Sequence, residues 1–229
     1  MSQTDSTKDY VDIIYNQVDR PFTSYPSKMT KYLVERFNLK QDSALLDFGC
    51  GRGEFTQGFV ENGLNASAID MSDYISKTYP HINFKQCDML NEKFPFEDNT
   101  FDYAYSKSVI EHFYYPEKII KEVHRVLRPN GLTLILTPDW EVVYKMFYDD
   151  YTHRTPFTKV SLKDFLLING FVDVHVEKFI QLPSVWKSDI AKVASQLTAM
   201  TCPDFLKEKS KWVRFSKEMM LLAVARKAE

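Results

Sequence analysis

The feature that most constrains this chain is a short glycine-rich stretch directly after an apolar run. Residues 44–48 are mostly apolar, Gly49, Gly51 and Gly53 follow, and a helical pattern begins at Glu54. This order predicts a buried strand, a tight turn and the first turn of a helix. Glycines permit positive φ angles and close approach of a ligand, and a helix N-terminus offers unpaired N–H groups. The stretch therefore predicts a binding loop for a ligand that contains a nucleoside.

The spacing of these glycines argues against one class of cofactor and matches another. The dinucleotide fingerprint G-x-G-x-x-G needs a glycine at position 54, where this chain has Glu54. The pattern Asp-x-Gly-x-Gly-x-Gly, from Asp47 to Gly53, closely resembles motif I of the class I S-adenosylmethionine-dependent methyltransferases. This resemblance implies that the loop, with Cys50, lies beside the methionine part of S-adenosylmethionine, and that Asp47 helps to hold its amino group. For the loop alone, a glycine-rich turn without function is the alternative.

A second acidic residue ends the next apolar segment. Residues 66–70 predict a strand that ends at Asp70, 70 − 53 = 17 positions after Gly53. A carboxylate at this place can accept hydrogen bonds from both ribose hydroxyls of an adenosine, each worth about 1.5–3 kcal/mol. We therefore expect Asp70 to bind the cofactor. The alternative is an acid at the N-terminus of a helix that follows Ser72.

A third acid follows the next predicted strand. Residues 82–86 predict that strand, and Asp88 and Met89 come just after it. The position matches the one that binds the adenine amino group in the resembling family. The resemblance implies that Asp88 accepts from this amino group while Met71 or Met89 packs on the adenine ring. An aspartate in a surface turn is the alternative.

The stretch after the fourth predicted strand carries a histidine. Residues 106–113 lie at the carboxyl end of a strand, where a doubly wound sheet opens its active site. They resemble the Glu-His segment of ubiquinone-type and related O-methyltransferases, which implies that Ser106 lies at the cofactor. His112 has an unperturbed pKa of about 6.5 and suits a general base, with a locally packed histidine as the alternative. Some relatives bind a divalent metal through Glu-x-x-Glu-His, but Ser108 stands at the first position, so we predict no required metal.

A second histidine lies in an irregular stretch rich in aromatic and polar residues. Residues 149–158 resemble the Asp-x-x-His-x-x-x-Phe-Thr loop of family members in glycan and natural-product pathways, which implies that this loop overhangs the substrate. We predict His153 to be the first candidate for a catalytic base or substrate contact. A histidine that ties the loop to the sheet is the alternative. Arg154 is predicted to meet an anionic group of the substrate, and Tyr151 and Trp140 to contact it.

The order of the predicted elements gives the fold and its divisions. Strands and helices alternate up to residue 182, which predicts an α/β three-layer sandwich with a seven-stranded, mostly parallel, Rossmann-like sheet. We expect one domain over residues 1–229. Its predicted parts are N-terminal cap helices at 1–40, a cofactor-binding core at 42–182 and 216–229, and a helical insertion at 183–215.

Several local predictions are specific enough to be compared with a structure. We expect helices at 9–18, from a cap at Ser27, from a cap at Ser161 and near 204–212. In the insertion, apolar residues recur at the spacing of an amphipathic helix, namely Trp186, Ile190, Val193, Leu197 and Met200.

Charge and composition limit the partners of the chain. The 229 residues carry a formal net charge of −2, which provides no global attraction to nucleic acid or to an anionic membrane. The segment from Pro183 onward contains nine Lys or Arg residues and five Asp or Glu residues. We interpret this excess of basic residues as the solvent-exposed face of a helix. No apolar window reaches the length of a membrane span. We expect a cytoplasmic monomer or homodimer that acts on a small molecule, with nucleic acid an improbable partner.

The resemblance covers residues 42–182 and implies a methyl transfer reaction. A hydroxyl, or an amine, of a small molecule would attack the methyl group that S-adenosylmethionine carries on its sulfonium. Alignment of the two reactants would provide most of the catalysis. The resemblance to glycan-pathway members implies a sugar or glycan precursor, or another metabolite, as the acceptor. Two alternatives remain open: a non-catalytic S-adenosylmethionine-binding regulatory protein, and an RNA methyltransferase that uses the basic C-terminal helices.

Overall fold

The computed structural model describes residues 21–229, so the helix predicted at 9–18 lies outside the described residues. The strands in this range are β1 (Ala44–Phe48), β2 (Asn65–Asp70), β3 (Asn83–Gln86), β4 (Phe101–Lys107), β5 (Leu127–Pro138), β6 (Phe171–Phe179) and β7 (Met220–Lys227). The α-helices are α1 (Tyr25–Phe37), α2 (Glu54–Glu61), α3 (Tyr74–Thr78), α4 (Pro116–Val126), α5 (Trp140–Val143), α6 (Lys159–Ile168), α7 (Asp189–Thr201) and α8 (Lys211–Lys217). Single 3₁₀ turns occupy Ile110–His112, Phe147–Asp149, Pro183–Val185 and Asp204–Leu206.

The strands over residues 21–229 form one seven-stranded sheet in the order β3-β2-β1-β4-β5-β7-β6. The pairs from β3 to β5 are parallel, and β7 runs antiparallel to both β5 and β6. The predicted three-layer, mostly parallel architecture is therefore confirmed. Because β1, β2 and β4 are parallel, their carboxyl ends meet at one edge of the sheet, which is where such folds bind ligands.

The sheet is buried on both faces, which explains the continuous apolar character of its central strands. Side chains alternate between the two faces, so Leu46 and Phe48 enter one hydrophobic core and Leu45 enters the other. Helices α4 and α6 cover the first core with residues such as Ile120 and Leu162. Helices α1 and α2 cover the second with Met29, Leu33 and Phe59. These two packed faces hold the strand ends in fixed positions.

Three helix starts differ from their predictions, each for a local reason. Helix α1 begins at Tyr25, because Pro26 fits the first turn of a helix, and Ser27 therefore lies within the helix. Helix α6 is capped by Thr158, whose side chain accepts from the backbone N–H of Ser161, and Ser161 completes the capping box. The second helix of the insertion is α8, capped by Ser210, and the segment predicted near 204–212 begins with a 3₁₀ turn.

The amphipathic pattern in the insertion predicts the helix but not the face that it buries. Helix α7 turns its apolar stripe outward, and the exposed fractions are 84% for Ile190, 54% for Val193, 57% for Leu197 and 83% for Met200. The helix packs instead through Ser195, whose hydroxyl lies 2.7 Å from that of Ser216 beside it. Over residues 21–229, no helix combines the length and the apolar character that crossing a bilayer requires.

Candidate functional site

The glycine loop between β1 and α2 has the geometry that its sequence predicts. Gly49, Gly51 and Gly53 all have positive φ angles, of 78°, 51° and 81°. A Cβ atom on Gly49 would lie 2.4 Å from the side chain of Val109, and one on Gly53 would lie 2.4 Å from that of Ile75. A Cβ on Gly51 would meet no atom within 4 Å. The outer glycines are therefore required for packing, and the middle one leaves open space above the loop.

That space belongs to a cavity of about 390 Å³ at the carboxyl ends of β1, β2 and β4. Its lining includes two of the loop glycines, Gly49 and Gly51, together with Cys50, Met71 and Met89. Asp47, Asp70 and His112 line it as well. A cavity of this size is within the usual range for small-molecule sites, about 300–1,000 Å³.

Asp70 ties the glycine loop to the end of β2. The backbone N–H of Gly51 donates to Oδ2 of Asp70 at 2.8 Å, and that of Ser72 donates to Oδ1 at 2.9 Å. The Asp70 side chain is buried and lines the cavity. Because each carboxylate oxygen has more than one lone pair, these bonds leave Asp70 able to accept further hydrogen bonds from a ligand.

Asp47 places a second buried carboxyl at the same end of the cavity. The hydroxyl of Thr56 donates to its Oδ2 at 2.6 Å. Burial, with a smaller contribution from the nearby Asp70, raises the pKa of Asp47 to about 7. A bound cation would favour the ionised form of this carboxyl and lower its pKa again.

Three of the residues predicted to bind the cofactor lie outside the cavity lining, namely Gly53, Asp88 and Ser106. The Asp88 carboxylate accepts from the backbone N–H of Leu90 at 3.1 Å and from the side chain of Asn91 at 2.8 Å. Ser106 is fully buried in β4, and its hydroxyl has no hydrogen-bond partner within residues 21–229. The roles of these three residues in cofactor binding stay predictions.

A second cavity, of about 270 Å³, adjoins the first. Four residues line both cavities and so mark their junction, namely Lys107, Ser108, His112 and Asp150. Helix α8 and the residue after it supply two charged residues to the second cavity, Arg214 and Glu218, which form an ion pair at 2.9 Å. His153 also lines the second cavity.

Backbone hydrogen bonds bring the two predicted histidines together. The N–H groups of Arg154 and Thr155 donate to the carbonyl of Glu111 at 2.7 and 3.0 Å. The Thr155 hydroxyl donates to the carbonyl of Phe113 at 2.7 Å. As a result, the rings of His112 and His153, which are 153 − 112 = 41 positions apart, lie with their centroids 4.7 Å from each other.

The hydrogen bonds around His112 define its tautomer. Its Nδ1 lies 2.8 Å from the hydroxyl of Thr152, and that hydroxyl donates to Oδ1 of Asp150 at 2.5 Å. A hydroxyl has one proton, so Nδ1 of His112 must donate, which leaves the lone pair on Nε2. Burial, with a smaller contribution from the neighbouring His153, lowers the pKa of His112 to about 4. The imidazole is therefore neutral near pH 7.

His153 is held in the same manner. Its Nδ1 lies 2.5 Å from the carbonyl of Phe147, which can only accept, so Nδ1 carries the proton. In the neutral ring, Nε2 therefore has the lone pair, and it lies 4.0 Å from Oδ2 of Asp150. Both histidines thus use Nδ1 for support within the fold.

Glu111 is a functional candidate that the sequence analysis did not identify. Its side chain is fully buried, and Oε2 accepts from the hydroxyl of Thr137 at 3.0 Å. Its other oxygen, Oε1, has no hydrogen-bond partner in the described part of the chain. Burial raises the pKa of Glu111 to about 7. Glu111, His112 and His153 together have the donor types that can hold a metal ion.

The other residues predicted to contact substrate lie outside both cavities. Arg154 donates to the carbonyls of Tyr151 and His153, and its guanidinium packs over the rings of Tyr114 and Tyr151. Tyr151 is 80% exposed. Trp140 packs on its aromatic neighbours Tyr144, Phe147 and Tyr148. The proposed substrate contacts of Arg154, Tyr151 and Trp140 stay predictions.

Some residues at the cavity junction could have been identified from the sequence, and others not. Asp150 and Thr152 belong to the loop that the family resemblance places over the substrate, so that resemblance was a usable signal. No sequence signal indicated Arg214 and Glu218, because they lie in and just after a long insertion whose position on the sheet depends on tertiary packing.

Comparisons with known proteins agree with this geometry. Residues 46–135 match the methyltransferase domain family. An uncharacterized protein of Methanocaldococcus jannaschii is 31% identical over 157 residues, which are 68% of this chain and 66% of that protein. A sterol 24-C-methyltransferase of Schizosaccharomyces pombe is 32% identical over 134 residues, which are 55% of this chain and 34% of that enzyme. The chain thus spans less than two thirds of the length of these relatives.

Solved structures with the same fold include one bound to a methyl donor. A phosphoethanolamine N-methyltransferase of Haemonchus contortus, in complex with S-adenosyl-L-methionine, superposes with a TM-score of 0.68 at 18% identity, covering 99% of this chain and 59% of that one. A SAM-dependent methyltransferase of Archaeoglobus fulgidus gives a TM-score of 0.66 at 19% identity, and the superposition covers 96% of this chain and 100% of that one. At these identities the similarity establishes the fold.

Proposed function

We propose that this chain, which belongs to the class I S-adenosylmethionine-dependent methyltransferases, transfers a methyl group to a hydroxyl of a polar small molecule. The observation that carries the proposal is the junction of the two cavities. The first cavity contains the glycine loop and Asp70, and the second is lined by polar and charged side chains together with apolar ones. His112 and Asp150 lie where the two meet.

The residues of the first cavity fit S-adenosylmethionine. Gly51 leaves space that a Cβ would fill, and the buried hydroxyl of Tyr105 lines the cavity without a hydrogen-bond partner in the described part of the chain. We infer that Asp70 would hold the ribose hydroxyls and that Asp47 would hold the amino group. S-adenosylmethionine supplies a methyl group on a sulfonium, which is a good leaving group.

The second cavity favours a polar acceptor. Its lining includes Lys107, Asp150, His153, Gln181 and the Arg214–Glu218 ion pair. Hydroxyl-rich molecules can satisfy such groups, whereas a wholly apolar molecule would leave them without partners after desolvation. We therefore propose a sugar or glycan precursor, or a similar metabolite, as the acceptor.

His112 would orient and activate the acceptor hydroxyl. Its ring is neutral, and its support through Thr152 and Asp150 leaves Nε2 as a hydrogen-bond acceptor at the junction. A hydroxyl that donates to this nitrogen presents its oxygen for attack, and its proton can move to Nε2 as the oxygen–methyl bond forms. General base catalysis of this kind contributes about 10²–10⁴-fold.

The test is release of S-adenosylhomocysteine in the presence of nucleotide sugars, simple glycans and hydroxylated metabolites. Turnover with a hydroxyl acceptor that depends on His112, and that is unchanged in His175→Gln, supports the proposal. His175 is exposed on β6 and lines neither cavity. Tight cofactor binding without turnover across the panel would instead favour the regulatory alternative.

An amine acceptor is the second candidate, and a specific relative favours it. Phosphoethanolamine N-methyltransferase 3 of Arabidopsis thaliana is 31% identical over 115 residues, which are 46% of this chain and 23% of that enzyme. An amine can arrive deprotonated and then needs no base from the protein. The same panel with phosphorylated amines separates the two, because N-methylation would depend only weakly on His112.

A further inference from the structure

One buried carboxyl, that of Glu111, and two partly buried imidazoles meet at the wall that the two histidines form in the second cavity. A carboxylate oxygen of Glu111 and a ring nitrogen of each of His112 and His153 all lie within 4.8 Å of one another. We propose that these three residues bind one divalent transition-metal ion of the Zn²⁺, Mn²⁺ or Co²⁺ class. The sequence led us to expect no required metal, because Ser108 occupies a position that related metal sites fill with glutamate.

The hydrogen bonds of the two histidines match those of metal ligands. His112 donates from Nδ1 to Thr152, and His153 donates from Nδ1 to the carbonyl of Phe147. Both rings therefore keep the Nε2 lone pair for an ion. Metal-binding histidines almost always donate their other ring N–H to a fixed acceptor of this kind, which sets the tautomer and orients the ring.

Glu111 provides the independent observation. Its carboxyl is completely buried, and Oε2 is held by Thr137, as carboxylate ligands commonly are. Oε1 lacks any hydrogen-bond partner among residues 21–229. A buried carboxyl oxygen without a partner costs free energy, and a cation between it and the two imidazoles would remove this cost.

The set of donors selects the class of ion. Two imidazoles and one carboxylate suit first-row transition ions, whereas Mg²⁺ and Ca²⁺ prefer sites made wholly of oxygen atoms. Three protein ligands leave at least one coordination position open, which is the arrangement of catalytic rather than structural sites.

The open position gives the ion a role at the acceptor. His112 and His153 both line the second cavity, so an oxygen of the acceptor, or a water, can complete the coordination there. An ion polarises a hydroxyl bound to it and fixes its position. With the ion present, Nε2 of His112 would bind the metal, and the acceptor oxygen would contact the ion instead of the imidazole. This role rests on the proposed methyl transfer, whereas the metal site itself does not.

The site is tested by titrating Co²⁺ into the full chain after treatment with a chelator, followed by visible absorption and calorimetry. We expect one ion per chain with absorption bands typical of nitrogen ligation. Glu111→Gln and His153→Gln should each weaken Co²⁺ binding by at least about tenfold. The matched control His175→Gln, which changes an exposed histidine, should bind like the parent.

Thermal melting and S-adenosylmethionine binding show whether each variant is folded. In a folded variant, weaker Co²⁺ binding results from the loss of the ligand side chain and not from unfolding. No binding at about 1 mM Co²⁺, or equal binding by the parent and both site variants, would overturn the metal site. Failure of S-adenosylmethionine to bind would contradict the proposed function and leave the metal result standing.

The proposed role of the metal ion at the acceptor is tested separately, by measuring turnover. If the ion binds the acceptor, chelation should reduce turnover with the hydroxyl substrate by at least about tenfold, and added Zn²⁺ or Mn²⁺ should restore it. Turnover that is unchanged after the ion has been removed would overturn this role.

Discussion

The two sides of the cleft are built in different ways. The cofactor side joins residues close in sequence, because Asp47, the glycine loop and Asp70 lie at the ends of adjacent parallel strands. The acceptor side joins His112, in a 3₁₀ turn, to His153, in an irregular loop, through hydrogen bonds to the carbonyl of Glu111. The sheet fixes the first arrangement, whereas a few long-range contacts fix the second. The acceptor side should therefore be easier to disrupt without loss of cofactor binding.

The largest effect that separates the two sides is expected for His112→Gln. Glutamine keeps a polar group at the junction but lacks the imidazole lone pair. His112 needs that lone pair both as a base and as a metal ligand. We expect kcat to fall by about 10²–10⁴-fold, while the Kd for S-adenosylmethionine changes by less than about twofold. Single-turnover kinetics and calorimetry measure the two quantities. An equal loss in both would mean that the two sides are not separable.

The buried carboxyl on the cofactor side should make stability depend on pH. Burial raises the pKa of Asp47 to about 7, so the folded protein holds this proton up to a higher pH than the unfolded chain does. The stability contributed by the protonated form is full below the unfolded pKa and is lost as the pH rises towards 7. Asp47→Asn should therefore gain stability relative to the parent from pH 5 to pH 8, by at most about 3 kcal/mol.

Urea denaturation at several pH values measures this difference. Thr100→Val changes the residue just before β4, at the amino ends of the parallel strands and away from Asp47, and serves as the control for effects unrelated to Asp47. A constant difference between Asp47→Asn and the parent across this range would contradict the assignment of a raised pKa to Asp47.

A smaller effect is expected where the acceptor loop is attached. The Thr155 hydroxyl donates to the carbonyl of Phe113 and so helps to hold His153 against His112. Thr155→Val removes this bond with little change in size, and we expect kcat to fall by about tenfold because small misplacements at a reacting centre are costly. Cofactor affinity should be retained. Unchanged kcat would show that the backbone bonds to Glu111 suffice.

The smallest effect is expected on the insertion that borders the acceptor side. Leu197 is 57% exposed on α7, so Leu197→Ser should change the free energy of unfolding by less than about 0.5 kcal/mol. Val213 is buried on α8, and Val213→Ala should cost about 1 kcal/mol or more. Denaturation of the two variants measures the contrast. A large loss for Leu197→Ser would mean that the apolar stripe is covered in solution.

Local patterns predicted the cofactor side well. The run of residues 44–48 and the start of the next helix at Glu54 agree with β1 and α2, because the strand is continuously apolar and glycines mark its end. Asp70 lies at the last position of β2, as its spacing from the loop indicated. These features depend on neighbours in the sequence and on the period of buried side chains.

The acceptor side depends on contacts that no local pattern specifies. His112 and His153 were both candidates, but their contact, the support from Thr152, and the pairing with Glu111 follow from the way one loop crosses another. The stripe on α7 is a similar case. Its spacing gave the helix correctly, but which face is buried depends on what the insertion packs against.

The central claim is that Asp70 and the glycine loop form the S-adenosylmethionine site, and calorimetric titration of the cofactor tests it most directly. We expect the parent to bind one equivalent and Asp70→Ala to bind at least tenfold more weakly, a loss of about 1.4 kcal/mol or more. Asp164→Ala, which changes an exposed acid on α6, should bind like the parent. No binding by the parent at about 1 mM cofactor, or equal affinity in parent and Asp70→Ala, would contradict the account.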